Sequence, residues 1–226
     1  PLPIPAVSND LRIMKEVFSA DNALLGAPPV VLEDNDASML GVASALEELI
    51  GQMKRGDYLV IYFSGHGIGG TARDERGNEI HAFDAIALYD DFVSDGELRD
   101  IIIESIFAEQ GLNLSDITLL IDSCYSGSFA DGNVREKQPK AFQKRGYTVI
   151  AASQPEEESW TRGKDNSLFS YYLERGLGGG EADSYSDGVI YASELYNYLK
   201  DKVSLEEPGQ NVYRHFGDGD PIIFKT

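Results

Sequence analysis

Cysteine is almost absent: Cys124 is the only one among 226 residues. That excludes an internal disulfide and fits a reducing compartment, so a cytoplasmic location is expected. Positive charge is scarce as well, with 19 Lys and Arg against 38 Asp and Glu and a formal charge of -19. Nucleic acid, whose phosphates such a surface repels, is therefore not an expected partner; a basic partner, a cation or plain solubility suits this charge. No apolar run approaches the roughly 18 residues that span a bilayer, and no basic-then-apolar secretion signal is present, so no membrane association is expected. The chain begins at Pro1 rather than at methionine, which leaves room for a removed leader or an upstream domain. An internal repeat and a low-complexity linker are also missing, and one domain over 1–226 is the reading.

What is present is an alternation of helix and strand patterns. "NDLRIMKEVFSA" places Leu11, Met14, Val17 and Phe18 at helical spacing with Asn9 as N-cap. "PPVVLED" reads as a short strand, and Ser38 to Lys54 as an amphipathic helix closed by Gly56. "DYLVIYF" is nearly continuous in apolar character, the mark of a strand covered on both faces. "FDAIALY", "ITLLIDS", "YTVIAAS" and "PIIF" are further strand candidates. Ser94 and Glu97 form a capping box that opens a helix through Phe107, and helices are expected from Asn166 to Leu177 and from Ala192 to Val203. The pattern predicts an α/β fold, a mostly parallel central sheet with helices on both faces.

Two apolar runs each end on one reactive side chain. "VIYFSGHG" delivers His66 and "LLIDSCYSG" delivers Cys124, where the carboxyl ends of parallel strands gather ligands. Side chains two apart on a strand share a face, so Ser64 should point with His66 and Asp122 with Cys124. Gly65 and Gly67 free the backbone around the histidine to turn. If the two strands are neighbours, imidazole and thiol meet at one rim, as an activated thiol nucleophile requires. A lone cysteine reads otherwise as a buried, inert thiol.

"YFSGHG" and "IDSCYSG" resemble the histidine and cysteine motifs of caspase-like peptidases, closest to metacaspases and their bacterial relatives, the orthocaspases. "AVSNDLRIMKEVF", "FDAIALYDDFVSDGEL", "YTVIAASQPEEESW" and "LFSYYLERGL" extend the likeness over most of the chain. The resemblance implies a caspase-like three-layer sandwich: a large-subunit-like part (1–134), a basic linker (135–145) and a small-subunit-like part (146–226). It implies a first strand upstream of the Asn-Asp helix, for which "PLPIPAV" is too short and too rich in proline.

By that resemblance Cys124 is the nucleophile of a cysteine endopeptidase and His66 its base, with no cofactor required for the chemistry. The N–H groups of Gly67 and Cys124 would form the oxyanion hole. Asp10, Ser64 and Asp122 match the pocket that takes an arginine or lysine side chain, and a cation between two carboxylates relieves their repulsion. The plainer alternatives are a helix-start cap for Asp10 and, for Asp122, a strand-end carboxylate satisfied by nearby backbone N–H groups.

"REKQPKAFQKR" lies where relatives cut themselves, which makes Lys140, Lys144 or Arg145 a self-processing site; a solvated basic loop is the plainer reading. Asp95 and Asp131 match calcium positions of the family, although Gly96 stands where a second acid is usual. Asp183, Asp187, Gly188 and Glu194 have EF-hand-like spacing, but Tyr185 supplies no carboxylate at the third position, and a turn entering a helix is expected. Tyr125 replaces a common histidine without touching the base. His81 and His215 read as surface or packing residues, and Trp160 as groove wall or core.

The expected partners are protein or peptide substrates with basic residues, and the expected state is a monomer. The rival readings are a catalytically silent signalling or scaffold domain of the same fold and a ligand-binding domain of flavodoxin type. The flavodoxin-type reading lacks a glycine-rich phosphate loop.

Overall fold

Three parallel strands form the centre of the molecule. The computed structural model describes residues 4–19, 28–73, 79–94, 97–98, 112–127, 146–154, 157–162, 165–217 and 219–226, without the side chains of 70–73 and 79–84. Among these, β1 (Leu59–Ser64), β5 (Ile117–Asp122) and β6 (Thr148–Ala151) run parallel, and β10 (Tyr213–His215) adds to β6 in the antiparallel sense, in the order β1-β5-β6-β10. A meander of β2 (Gly67–Arg73), β3 (Glu79–Ala87) and β4 (Phe92–Ser94) follows β1. Two small antiparallel pairs complete the strands: β7 (Thr161–Arg162) with β8 (Asn166–Ser167), and β9 (Val189–Tyr191) with β11 (Ile222–Lys225).

The continuous apolar runs of the central strands have their expected consequence, burial on both faces. Leu120 and Ile150 pack with α1 (Pro5–Ser19), α3 (Leu168–Leu177) and α4 (Ala192–Glu206) through Met14, Val17, Phe169, Leu173, Leu195 and Leu199. Their strand neighbours Ile117, Leu119, Ile121 and Val149 point the other way, onto Leu46 and Ile50 of α2 (Met39–Gln52). This strict alternation gives the sheet a helical layer on each side, as the sequence predicts. Ser38 caps α2 by accepting the Gly41 N–H at 3.1 Å, and the Ser94–Glu97 box is formed, with Ser94 Oγ donating to Glu97 Oε2 at 2.8 Å. The helix expected beyond that box lies outside the described residues, as do Asp95, Gly96, Asp131 and all of 128–145.

Three local expectations are corrected. Helix α1 starts at Pro5 rather than after an Asn9 cap, since proline is tolerated in a first turn where its missing N–H has no helical partner. Asn9 instead donates to the Asp165 carbonyl at 2.6 Å. "PPVVLED" forms no strand: two prolines remove ladder donors, and Val30 and Val31 stay exposed. The segment with EF-hand-like spacing is a turn leading through β9 into α4. The buried Glu194 carboxylate accepts the N–H groups of Ser184, Tyr185 and Tyr191, and Asp183 accepts those of Asp187 and Gly188.

Candidate active site

The register of β1 on β5 pairs Ser64 with Asp122, so both chains leave the sheet side by side. The Gly65 N–H donates to the Asp122 carbonyl at 3.1 Å, which extends the pairing one step into the His66 turn. The His66 carbonyl then accepts the Ala87 N–H at 2.9 Å, tying that turn to β3. Gly67 lies against the main chain of Cys124 so closely that an added Cβ would stand 1.9 Å from the Cys124 carbonyl oxygen. Here glycine is a steric requirement, and it places the histidine turn and the cysteine turn in contact. Ser123, between Asp122 and Cys124, is buried beneath the same contact, and among the described residues its Oγ has no hydrogen-bond partner.

The cysteine turn is held from a second side. Tyr125 adopts a left-handed backbone (φ 57°) and donates its N–H to the Glu157 carbonyl at 2.8 Å. The buried Ser153 hydroxyl donates to the Ser123 carbonyl at 3.2 Å and accepts the Ser126 N–H at 3.4 Å. Cys124 is half-buried, and its Sγ accepts the Ser159 N–H at 3.5 Å. Burial pushes the Cys124 thiol up, with Glu158 and Asp122 adding to the effect against the Ser159 N–H. Taken together, the shift favours the thiol over the thiolate.

Near the thiol lie two buried carboxylates, Asp10 and Asp122. Asp122 is 3 % exposed and accepts hydroxyl groups from Ser159 (3.2 Å), Ser170 (2.6 Å) and Ser167. Asp10 is fully buried in the body of α1, and it accepts from Ser64 Oγ, Asn166 Nδ2 and the Ser167 N–H, each at 3.1 Å. It is thus not a helix-start cap, and Asp122 is held by the Ser170 backbone N–H as well as by the three hydroxyls. One residue, Ser167, touches both acids and caps α3 by accepting the Ser170 N–H at 3.0 Å. Burial and then the Asp122 charge push Asp10 up to about 7. Burial also raises Asp122, opposed by its three serine hydroxyls. Tyr62, two residues before Ser64 on β1, hydrogen-bonds Ser170 from the apolar side, and burial with both acids raises its phenol. Two carboxylates that share a buried site favour either a proton or a cation between them.

The structure thus brings Asp10, Ser64, His66, Gly67, Asp122 and Cys124 together. Asp95 and Asp131 lie outside the described residues, and no group of three or more His, Cys, Asp or Glu among the described residues is placed to hold a metal ion. Trp160 is 50 % exposed next to Ser159, which removes the core reading for it. Sequence reasoning missed Tyr62, Ser159, Asn166, Ser167 and Ser170. The period of β1 could have found Tyr62, and Ser167 with Ser170 carries an N-cap signal; Ser159 has no local mark.

The sequence model of the metacaspase, peptidase C14 domain matches residues 7–133. Metacaspase-1A of Neurospora crassa is 27 % identical over 172 residues, covering 68 % of this chain and 36 % of its own length. Metacaspase-1 of Candida glabrata is 30 % identical over 155 residues, covering 62 % of this chain and 38 % of its own. The chain therefore spans little more than a third of these relatives. Among solved structures, Caspase-1 from Spodoptera frugiperda superposes with a TM-score of 0.61 at 14 % identity, over 100 % of this chain and 86 % of that one. A protein from Geobacter sulfurreducens gives 0.60 at 20 % identity, over 98 % and 88 %. These two likenesses establish the caspase-like fold. No helix among the described residues is long and apolar enough to cross a membrane.

Proposed function

Since the chain belongs to the metacaspase family of peptidase C14 domains, we propose that it is a cysteine endopeptidase that cuts after arginine or lysine, with Cys124 as nucleophile and His66 as base. The observation that carries this is the contact of Gly67 with the Cys124 main chain, with Ser159 linking the Cys124 sulfur to the buried Asp122 carboxylate. In the attack, Cys124 Sγ bonds to the scissile carbonyl carbon while its proton passes to His66. The carbonyl oxygen takes up the negative charge beside the N–H groups of Gly67 and Cys124, and each such donor is worth roughly 10²–10³ in rate. His66 then gives the proton to the departing amine. Water, deprotonated by the same imidazole, releases the acyl group and restores the thiol.

Specificity follows from the pocket. Asp10 and Asp122 are buried close together and their printed donors, from Ser64, Asn166, Ser159, Ser167 and Ser170, carry no positive charge. A guanidinium or ammonium supplies the missing cation, whereas an aspartate side chain would add a third negative charge. Self-cleavage at Lys140, Lys144 or Arg145 follows from the same preference. A calcium requirement would rest on Asp95 and Asp131.

The test is turnover of fluorogenic peptides ending in Arg, Lys or Asp, with calcium and with a chelator, for the wild type and Cys124→Ala. Turnover of the Arg or Lys peptides by the wild type alone supports the proposal. Turnover of the Asp peptide alone overturns the specificity, and no turnover of any peptide returns the chain to the scaffold reading. Chelator sensitivity that disappears in Asp95→Asn or Asp131→Asn assigns those residues to the cation.

A further inference from the structure

Residues 157–160 touch both halves of the candidate site yet belong to no helix or strand. The Glu157 carbonyl holds the Tyr125 N–H, the Ser159 N–H meets Cys124 Sγ, and the Ser159 hydroxyl meets Asp122 Oδ1. The position of this short stretch thus sets the thiol relative to the pocket, and something outside it must fix that position.

Two consecutive residues after α4 do so. Gln210 is fully buried, and its Oε1 accepts the Trp160 N–H at 2.9 Å. Its Nε2 donates to the Ala152 carbonyl at 2.9 Å and to Ser159 Oγ at 3.4 Å. An N–H can only donate and a carbonyl can only accept, so these partners determine which way the amide faces. Asn211 grips the other end: its N–H donates to Glu157 Oε2 at 2.9 Å and its Nδ2 to Glu157 Oε1 at 2.8 Å. Gln210 therefore joins the end of β6 to Ser159 and Trp160, while Asn211 joins Glu157, whose carbonyl carries the cysteine turn.

A primary amide is a costly group to bury, and its cost is recovered only when oxygen and nitrogen both find partners. Leucine or methionine of similar volume would fill the space without that demand. An amide at this place instead gives directional bonds to a segment outside helix and strand that touches both Cys124 and Asp122.

We propose that Gln210 and Asn211 are positioning residues, which lock 157–160 so that the Cys124 sulfur and the Asp122 carboxylate keep one spacing. The proposal rests on the peptidase reading for its kinetic consequence, while its structural consequence stands apart from that reading. Neither residue touches the reacting atoms; both act through Ser159 and Glu157.

The experiment compares wild type with Gln210→Glu, Gln210→Leu and Asn211→Ala. Gln210→Glu is nearly isosteric; it keeps the acceptor for the Trp160 N–H and loses the donor to Ala152 and Ser159. Three readouts are taken well below each variant's melting temperature. They are kcat and KM on an arginine-ended peptide, the pH profile of Cys124 alkylation by iodoacetamide, and the emission of Trp160, the single tryptophan of the chain. The expected result is a fall in kcat/KM on the order of 10²-fold for the Gln210 variants, as for a misplacement near 1 Å. The alkylation midpoint should rise, because the Ser159 N–H that favours the thiolate is loosened while Glu158 and Asp122 still oppose it. Trp160 emission should shift in all three variants.

A lower melting temperature with wild-type kinetics, alkylation profile and emission would overturn the proposal, since that is the signature of a purely structural amide. If the wild type turns over no peptide but emission and alkylation still move, the peptidase reading fails and the positioning role stands. If the wild type is active and Gln210→Glu matches it in all three readouts, the positioning role fails and the peptidase reading stands. If the Gln210 variants do not fold, Asn211→Ala, at a less buried position, decides by the same readouts.

Discussion

Gly67 and Cys124 are in main-chain contact, with room between them for a hydrogen but not for a methyl group. The contact is what joins a histidine turn at the end of β1 to a cysteine turn at the end of β5. A Gly67→Ala substitution places its Cβ 1.9 Å from the Cys124 carbonyl oxygen, so one of the two turns must move. The expected outcome is a loss of peptidase rate on the order of 10²–10³-fold, the value of one displaced oxyanion donor. Steady-state kinetics on the folded variant checks it, and unaltered kinetics would mean that the two turns do not act together.

The pocket acids predict a pH dependence with a definite sign. Asp10 is pushed up to about 7, far above an ordinary aspartate at 3.8, by burial and by Asp122. The folded state then holds a proton that the unfolded chain has released, so this group's contribution to stability is greatest below pH 4 and declines as pH rises towards 7. Asp10→Asn removes the penalty. It should raise the melting temperature at pH 8 relative to wild type by more than at pH 4, with a ceiling of a few kcal/mol at about 1.4 kcal/mol per pH unit. The same proton competes with a cationic substrate, so KM for an arginine peptide should rise as pH falls below about 7 in the wild type. Melting curves and KM measured across pH 4–8 test both signs.

Much of this was legible in the sequence because strand periodicity carries it. Ser64, His66, Asp122 and Cys124 are each found by counting along an apolar run, whereas the parallel register that pairs Ser64 with Asp122 comes from the structure alone. Asp10 was found through a motif likeness, but its setting was misjudged, because α1 begins a turn earlier than the Asn9 cap suggests and puts Asp10 in the helix body. The serine ring and Gln210 were not legible. Ser159, Ser167 and Ser170 are more than a hundred residues from Asp10 and Gln210 is 50 from Trp160, and only the docking of α3 on the sheet and the path after α4 bring them in. "PPVVLED" failed because its two prolines remove ladder donors although its valines have the right local preference.

Removing one hydroxyl should disturb the acid and the phenol together. Ser170 is fully buried, donates to Asp122 at 2.6 Å and is the partner of the Tyr62 hydroxyl. Ser170→Ala takes one bond from each group, Asp122 keeping Ser159 and Ser167 and Tyr62 keeping Ser64, and a loss of about 1–3 kcal/mol in total is expected. Chemical denaturation at pH 7 measures it; a change under 0.5 kcal/mol, on the order of an ordinary surface substitution, would show that the pocket network carries no such load.

The thiol should respond to a charge outside the pocket. Glu158 is exposed and adjacent to the Cys124 contact at Ser159, and its carboxylate helps to hold the thiol protonated. Glu158→Gln should speed iodoacetamide alkylation of Cys124 at pH 7.5 and low salt. Raising ionic strength should shrink the difference, because exposed charges are screened over roughly 10 Å at 0.1 M salt. Equal rates for the two proteins at low salt would remove Glu158 from the thiol's electrostatics.

The most direct measurement exposes the wild type to peptidyl chloromethyl ketones that differ only in a terminal arginine or aspartate, and locates the adduct by mass spectrometry. The account predicts one adduct, on Cys124, formed with the arginine reagent and suppressed in His66→Ala and in Asp122→Asn. Labelling of Cys124 at equal rates by both reagents would contradict the acidic pocket. Labelling by neither, with the protein folded, would contradict the pairing of thiol and imidazole on which the account depends.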